Sequence, residues 1–163
     1  MAVRTLIAEL ETHLLLLEEF FNLLSRETSE LADIHVDAMN EINALKEVIA
    51  ARIETHSVLL RNVLEEAATR EGLPSEASLG LLAEAYKRKG NGTVARLHGD
   101  LNRIADHIRQ TISINREIAE RFAASVSTTL QLLTRIINQS NTYGASGGYQ
   151  QRHVGAVMIN REA

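Results

Sequence analysis

The 163-residue chain contains no cysteine and no tryptophan, a single proline and only 4% aromatic residues. Without cysteine it can form no disulfide, supply no thiolate nucleophile and bind no metal through sulfur, which fits a reducing compartment. The longest aliphatic run is residues 14–17, whereas a helix that spans a bilayer needs roughly 20 apolar residues. Glu9 and Glu11 interrupt the first apolar stretch, unlike the apolar core of a signal peptide. We therefore expect a cytoplasmic protein without membrane insertion.

The formal net charge of −4 is unevenly distributed, because residues 1–70 carry −7 and residues 71–163 carry +3. In the basic half, the arginines are spread along one predicted helix, at Arg103, Arg109, Arg116, Arg121 and Arg135. Phosphate binding requires several clustered cations. The pattern predicts a solvated helix face and no nucleic-acid partner.

Two long helical segments open the chain. In residues 3–32 leucine and phenylalanine recur three or four residues apart, and residues 36–71 repeat this spacing with isoleucine, leucine and alanine. Such spacing marks one face of an α-helix, and each helix would be roughly 45 to 55 Å long. Between them, Thr28, Ser29, Asp33 and Asp37 can cap or turn the backbone. We predict a tight connection and an antiparallel helical hairpin.

Helix-breaking residues after the hairpin predict a short helix between them. Gly72 suits a helix carboxyl terminus, and Pro74 cannot continue the hydrogen-bond ladder. Residues 76–89 then form a helix with Ser75 as the amino cap, and the glycines at 90 and 92 end it.

Residues 93–140 are predicted as one long amphipathic helix. Its apolar stripe has a spacing of three and four residues that is interrupted at Asn115. A buried Asn115 would fix the register of packing at some cost in stability. The alternative is that Asn115 lies at a solvated margin, and the sequence favours neither.

The predicted fold class is therefore all-α, bundle-like or coiled-coil-like. It comprises an amino-terminal antiparallel hairpin (1–71), a connector with a short helix (72–92), a long carboxyl-terminal amphipathic helix (93–140) and a glycine-rich tail (141–163). The tail retains Tyr143 and several aliphatic residues. It is either a segment that docks on a partner or a frayed terminus.

No motif for catalysis is present, and we expect no enzyme, no cofactor and no metal. The chain lacks the Glu-x-x-His of di-iron bundles, the Gly-x-Ser-x-Gly elbow and a phosphate-binding loop with its lysine. His13 and His56 can meet across the hairpin, and ordinary packed or solvated histidines are the favoured interpretation.

An amphipathic helix is weak alone, so the apolar stripe of residues 93–140 requires a cover. The hairpin can cover about half of it, which leaves residues 122–137 exposed. An exposed apolar patch marks an interaction site, filled by a second copy of the chain or by an amphipathic helix of a client. The candidate client-binding residues are Ile112, Ile118, Phe122, Val126, Leu130, Leu133 and Ile137.

Diffuse motifs along most of the chain resemble one family. They are the Leu/Glu-rich residues 10–24, Lys46 a few turns into the second helix, Gly72-Leu73, Leu101-Asn102, Ile114-Asn115-Arg116 and Thr142-Tyr143-Gly144-Ala145-Ser146-Gly147. In these features the chain resembles the FlgN-type flagellar export chaperones. It departs from their pattern at His35-Val36-Asp37, where a Gly-Asp-Leu type of turn is usual, and by the absence of proline after Tyr143-Gly144.

The resemblance implies a chaperone without enzymatic activity. Such a protein binds the terminal helices of flagellar hook-associated proteins and delivers them to the flagellar type III export gate. The resemblance also implies that the carboxyl-terminal region carries the client and that Tyr143 contacts the export gate. The alternative is a structural coiled-coil or adaptor protein, a homodimer that has no client.

Overall fold

The computed structural model describes the backbone of residues 2–140 and the side chains of residues 3–137. The helices are α1 (Ala2–Asp33), α2 (Val36–Arg70), α3 (Leu79–Arg88) and α4 (Thr93–Ser140). The described residues contain no strand, and the all-α prediction is confirmed. The chain forms two compact units, Met1–Ala119 and Glu120–Ala163, which are described separately.

Cross-helix ion pairs establish that α1 and α2 are antiparallel. Glu27 of α1 pairs with Lys46 of α2, and Glu19 pairs with Arg52. The partner's number rises along α2 as the residue number falls along α1, which is the order that an antiparallel pair requires. The predicted hairpin is confirmed.

The core of the first unit collects apolar side chains from all four helices. Burial is nearly complete for Leu6, Leu10, Leu60, Ala67, Ala68, Leu82, Ala83, Tyr86, Val94 and Leu97. The spacing of four residues from Leu6 to Leu10, and of three from Val94 to Leu97, places each pair on one helix face. Burial of one leucine side chain contributes about 1.5 to 3 kcal/mol, so this cluster is the main source of stability in the unit.

Three helices end in the same hydrogen-bonded motif, in which one residue adopts a positive φ. The positive φ occurs at Ile34 after α1, at Gly72 after α2 and at Gly90 after α3. In each case the next N–H donates to the carbonyl five residues earlier, from His35 to Glu30 in the first motif. This is the Schellman motif, which satisfies carbonyls that a helix end leaves unpaired.

The connection between α1 and α2 is formed in a different way from the one predicted. We expected polar side chains to cap it, but no side chain caps the amino terminus of α2 at His35. The turn is made by the backbone, with Ile34 at a φ of 58°. A β-branched residue is strained in this conformation because its Cβ approaches the following carbonyl.

The predicted start of α3 was three residues too early. Residues 74–77 form a turn in which the Ala77 N–H donates to the Pro74 carbonyl, so Ser75 lies inside the turn. Ser78 has an extended backbone and accepts a hydrogen bond from the Leu81 N–H at 3.4 Å. Ser78 is therefore the amino cap, and the helix begins at Leu79.

Replacing Ile34 with glycine is expected to stabilise the first unit by up to about 1 kcal/mol. Relief of the left-handed strain contributes roughly 1 to 2 kcal/mol, and the greater freedom of glycine in the unfolded chain offsets roughly 0.5 to 1 kcal/mol of it. The Ile34 side chain is exposed, so little packing is lost. Urea unfolding followed by circular dichroism measures the change.

Val36→Gly is the matched control, because Val36 is also exposed but begins α2 with ordinary helical geometry. This substitution should lower the free energy of unfolding. A loss of stability in both variants would contradict the assignment of strain to Ile34.

Candidate functional site

In the second unit, every side chain from residue 120 to residue 137 is exposed. Five apolar residues recur there three or four positions apart on one face of α4. This face, the distal stripe, consists of Phe122, Val126, Leu130, Leu133 and Ile137, with exposed fractions between 40% and 58%. All five were among the candidate client-binding residues.

The exposed apolar face is wider than the predicted stripe. Leu132 and Ile136 are 51% and 60% exposed, and each directly precedes a member of the distal stripe. Successive helix residues are about 100° apart, so these two side chains extend the face on one side. Their spacing of four residues was the signal in the sequence, and reading a single line of positions missed it.

Ile112 and Ile118, the two remaining candidates, belong to the first unit. Ile118 is half-buried, whereas Ile112 is exposed and lines an open groove of about 800 Å³. The groove runs between α1, α2 and residues 112–119 of α4. Its lining includes Phe20, Leu24, Leu31, Met39, Ala50, Ile112 and Ala119. The apolar lining makes it a second concave surface that a side chain can enter.

Asn115 is one of the residues that line this groove, and it joins α4 to α1. Its side chain donates to the Leu24 carbonyl at 3.0 Å and to Glu27 Oε2 at 2.9 Å, and the Thr28 hydroxyl donates to Asn115 Oδ1 at 2.6 Å. The second oxygen of Glu27 accepts from Lys46 Nζ of α2 at 2.6 Å. A single polar network therefore connects three helices.

The structure decides between the two interpretations of Asn115. The residue is only 5% exposed, and both its amide hydrogens and its oxygen have partners. A buried amide with complete hydrogen bonding stabilises one register of helix packing. The solvated alternative is wrong, because α1 presents a carbonyl, a carboxylate and a hydroxyl at this position of the stripe.

Ion pairs within α4 occupy several of its arginines. Arg96 and Arg103 both contact Asp100, and Arg109 contacts Asp106. Each pair is three or four residues apart, which is the spacing of neighbours on a helix surface. The arginines of this helix are therefore part of a mixed charged surface.

His13 of α1 and His56 of α2 meet across the hairpin, with their Nδ1 atoms 3.2 Å apart. Burial, and then the charge on His56, lowers the pKa of His13. Elsewhere in the core, burial followed by the nearby Glu71 carboxylate raises the pKa of Tyr86, which keeps its phenol neutral. Within the described residues, no group of three or more His, Asp or Glu side chains could hold a metal ion.

Two further observations concern the limits of the described chain. Tyr143, the candidate contact for the export gate, lies outside the described residues. In the part of the chain that the structure describes, no helix has the length and apolarity needed to cross a membrane.

The fold and its surfaces define a class of all-α protein, in which a long amphipathic helix exposes an apolar face. Comparison with models of protein families identifies the family. The model of the FlgN protein family matches residues 1–151, and the chain belongs to this family. FlgN proteins are flagellar export chaperones and not enzymes. No curated protein and no solved structure matches the chain.

Asn115→Ala is expected to lower the free energy of unfolding by roughly 1 to 3 kcal/mol, because it removes both hydrogen bonds that the Asn115 amide donates and leaves Oε2 of the partially buried Glu27 carboxylate without its amide donor. Urea unfolding of the full chain measures the loss.

Asn62→Ala on α2 is the control, since Asn62 is exposed and the change gives the same gain in helix propensity. Equal stabilities of the two variants would contradict a structural role for the Asn115 network.

Proposed function

We propose that this protein is a cytoplasmic export chaperone whose distal stripe binds the terminal amphipathic helices of flagellar hook-associated proteins. The observation that carries the proposal is the exposed apolar face of α4 in residues 122–137. Membership of the FlgN family supports it, because the family is one of flagellar export chaperones. Leu132 and Ile136 extend the proposed surface beyond the residues chosen from the sequence.

The mode of binding follows from the shape of the surface. A helix whose apolar side chains recur at i, i+3, i+4 and i+7 can lay that face along the distal stripe. Each aliphatic side chain that leaves water contributes about 1.5 to 3 kcal/mol. The stripe thereby takes the place of the apolar neighbours that a client helix contacts after assembly, and it keeps the client from aggregating before export.

The second part of the proposal is delivery to the flagellar type III export apparatus. Tyr143 is the proposed contact with the export gate, on the strength of the family resemblance of residues 142–147. Tyrosine suits such a contact, because its ring buries a large area and its hydroxyl retains a hydrogen bond.

A permanent homodimer is the alternative. The three- and four-residue spacing of the distal stripe also suits pairing with a second copy of α4 in a coiled coil. In that case the apolar face is covered by the chain itself, and no client is needed.

Calorimetric titration with the carboxyl-terminal helical segment of a hook-associated protein tests the proposal, together with the mass of the complex from light scattering. Saturable binding of one client per chain supports the chaperone. Absence of binding by a protein that remains a dimer at all concentrations favours the structural coiled coil.

Replacing Leu133 or Phe122 with aspartate is expected to weaken client binding at least about 100-fold. An unpaired carboxylate in a buried interface costs several kcal/mol, and each 1.4 kcal/mol is a factor of about ten in Kd. Helicity should persist, because both side chains are exposed in the free protein.

The control for both substitutions is Gln131→Asp, at an exposed position on the opposite side of α4 from the extended apolar face. It introduces the same charge and should leave client binding nearly unchanged. Loss of helicity in the Leu133 variant would instead place this residue in a folded core.

Tyr143→Ala is expected to spare client binding and to weaken association with the cytoplasmic part of the export gate by several-fold. Pull-down or interferometry with the purified gate domain measures the effect. Tyr149→Ala, in the same tail, is the matched control. An unchanged gate affinity of the Tyr143 variant would remove Tyr143 from the proposal.

A further inference from the structure

The two histidines of the hairpin face each other edge to edge. Their Nδ1 atoms are 3.2 Å apart, their ring centroids are 5.4 Å apart, and the ring planes differ by 19°. The distance between the ring centroids is longer than the distance between the Nδ1 atoms by about two imidazole ring radii. Both Nδ1 atoms therefore lie close to the line that joins the two centroids. This is the geometry of an N–H···N hydrogen bond. Lone pairs aimed along one line do not converge on a metal ion between them.

Glu9 determines which nitrogen carries a proton. His56 Nε2 lies 3.0 Å from Glu9 Oε2, and a carboxylate accepts only, so His56 donates from Nε2. A neutral His56 then has a lone pair at Nδ1. His13 must donate from its own Nδ1 to fill that position, and the tautomers of both rings follow from the carboxylate.

Proton counting shows how this contact responds to acid. The contact can accommodate one added proton. His56 then donates from Nε2 to Glu9 and from Nδ1 to His13. His13 carries its own proton on Nε2, so that its Nδ1 accepts. A second proton leaves two N–H groups pointing at each other across 3.2 Å, on two cations. Both rings are partly buried, where water screens such repulsion poorly.

We propose that His13 and His56 form a proton-operated clasp between α1 and α2, which stays closed with one added proton and opens with the second. The clasp joins the helices between the core around Leu10 and Leu60 and the Arg52–Glu19 ion pair. Opening it frees the middle of the hairpin without removing the apolar core. Mild acid therefore loosens the first unit in the middle of the hairpin, where His13 and His56 meet.

The pKa of His13 supports this direction. Burial is the larger cause and the charge on His56 the smaller, and both lower the pKa of His13 below its ordinary value of 6.5. Between the folded and unfolded pKa values the unfolded chain binds more protons, so stability falls with falling pH. The full stability is present above about pH 6.5, and it is lost as the pH falls through the folded pKa of His13.

In the contacts that the structure describes, no carboxylate pairs with His13, so none offsets the charge of a protonated His13. On α1, Glu9 bonds to His56. On α4, the ionisable side chains that face α1 near this level surround Leu14 and Glu18; they are Arg96, Asp100, Arg103 and His107. Asp100 is already paired with both arginines. At the carboxyl end of α3, Arg88 pairs with Glu84, and Lys89, the next residue, pairs with Glu71.

Urea unfolding of the full chain at pH 7.5 and pH 5.0 tests the clasp. The key variant is His13→Asn, whose side-chain nitrogen can donate to His56 as Nδ1 does but does not titrate. The unfolding midpoint of the natural protein should fall at pH 5.0, and that of the variant should fall by a smaller amount. The control is His107→Asn, at an exposed histidine of α4, which should retain the full pH dependence.

An equal loss of midpoint in the natural protein and in His13→Asn would overturn the proposal. Should that variant fold poorly, amide hydrogen exchange of the natural protein provides the second test. Protection factors in residues 10–17 and 53–60 should fall several-fold from pH 7.5 to pH 5.0, relative to those of α3. A uniform change across the unit would also overturn the clasp.

Discussion

Burial of the apolar stripe of α4 is the constraint on which the rest of the structure depends. Val94 and Leu97 enter the core of the first unit, and Asn115 is still buried. In the second unit, by contrast, every described side chain from residue 120 onward is exposed, including Leu130 and Leu133. The apolar stripe is thus continuous in the sequence, but it is buried in the first unit and exposed in the second. Because apolar burial is the dominant favourable term in folding and association, the first part stabilises the fold and the second is available to a partner.

The polar network at Asn115 gives this packing its specificity. Apolar side chains alone allow one helix to slide along another, whereas a buried amide with three specified partners does not. Lys46 extends the network to α2 through Glu27. Hydrogen bonds thereby fix α1, α2 and α4 in one register at the open groove of about 800 Å³.

The hairpin combines one strained backbone angle and one proton-sensitive hydrogen bond with the apolar core. Ile34 makes the turn with a positive φ, and the His13–His56 contact accepts one added proton but resists a second. Both features are small compared with the burial of the core leucines. They affect local stability, because each concerns a single contact or a single backbone angle.

The helices and their hairpin order were predictable, because apolar spacing repeats over many turns and Gly72, Pro74 and Gly90 mark the breaks. The exposed stripe beyond residue 120 was also predictable, because two hairpin arms cannot cover all of a longer helix. The first residue of α3, the left-handed turn at Ile34 and the partners of Asn115 were not. Short-range signals do not reveal which of two serines has an extended backbone, or which side chains on α1 meet position 115. The sequence by itself determined the helices and their apolar faces, because helical periodicity is local. Only the tertiary structure decided which polar groups on those faces meet, because hydrogen bonds depend on distances between residues far apart in the chain.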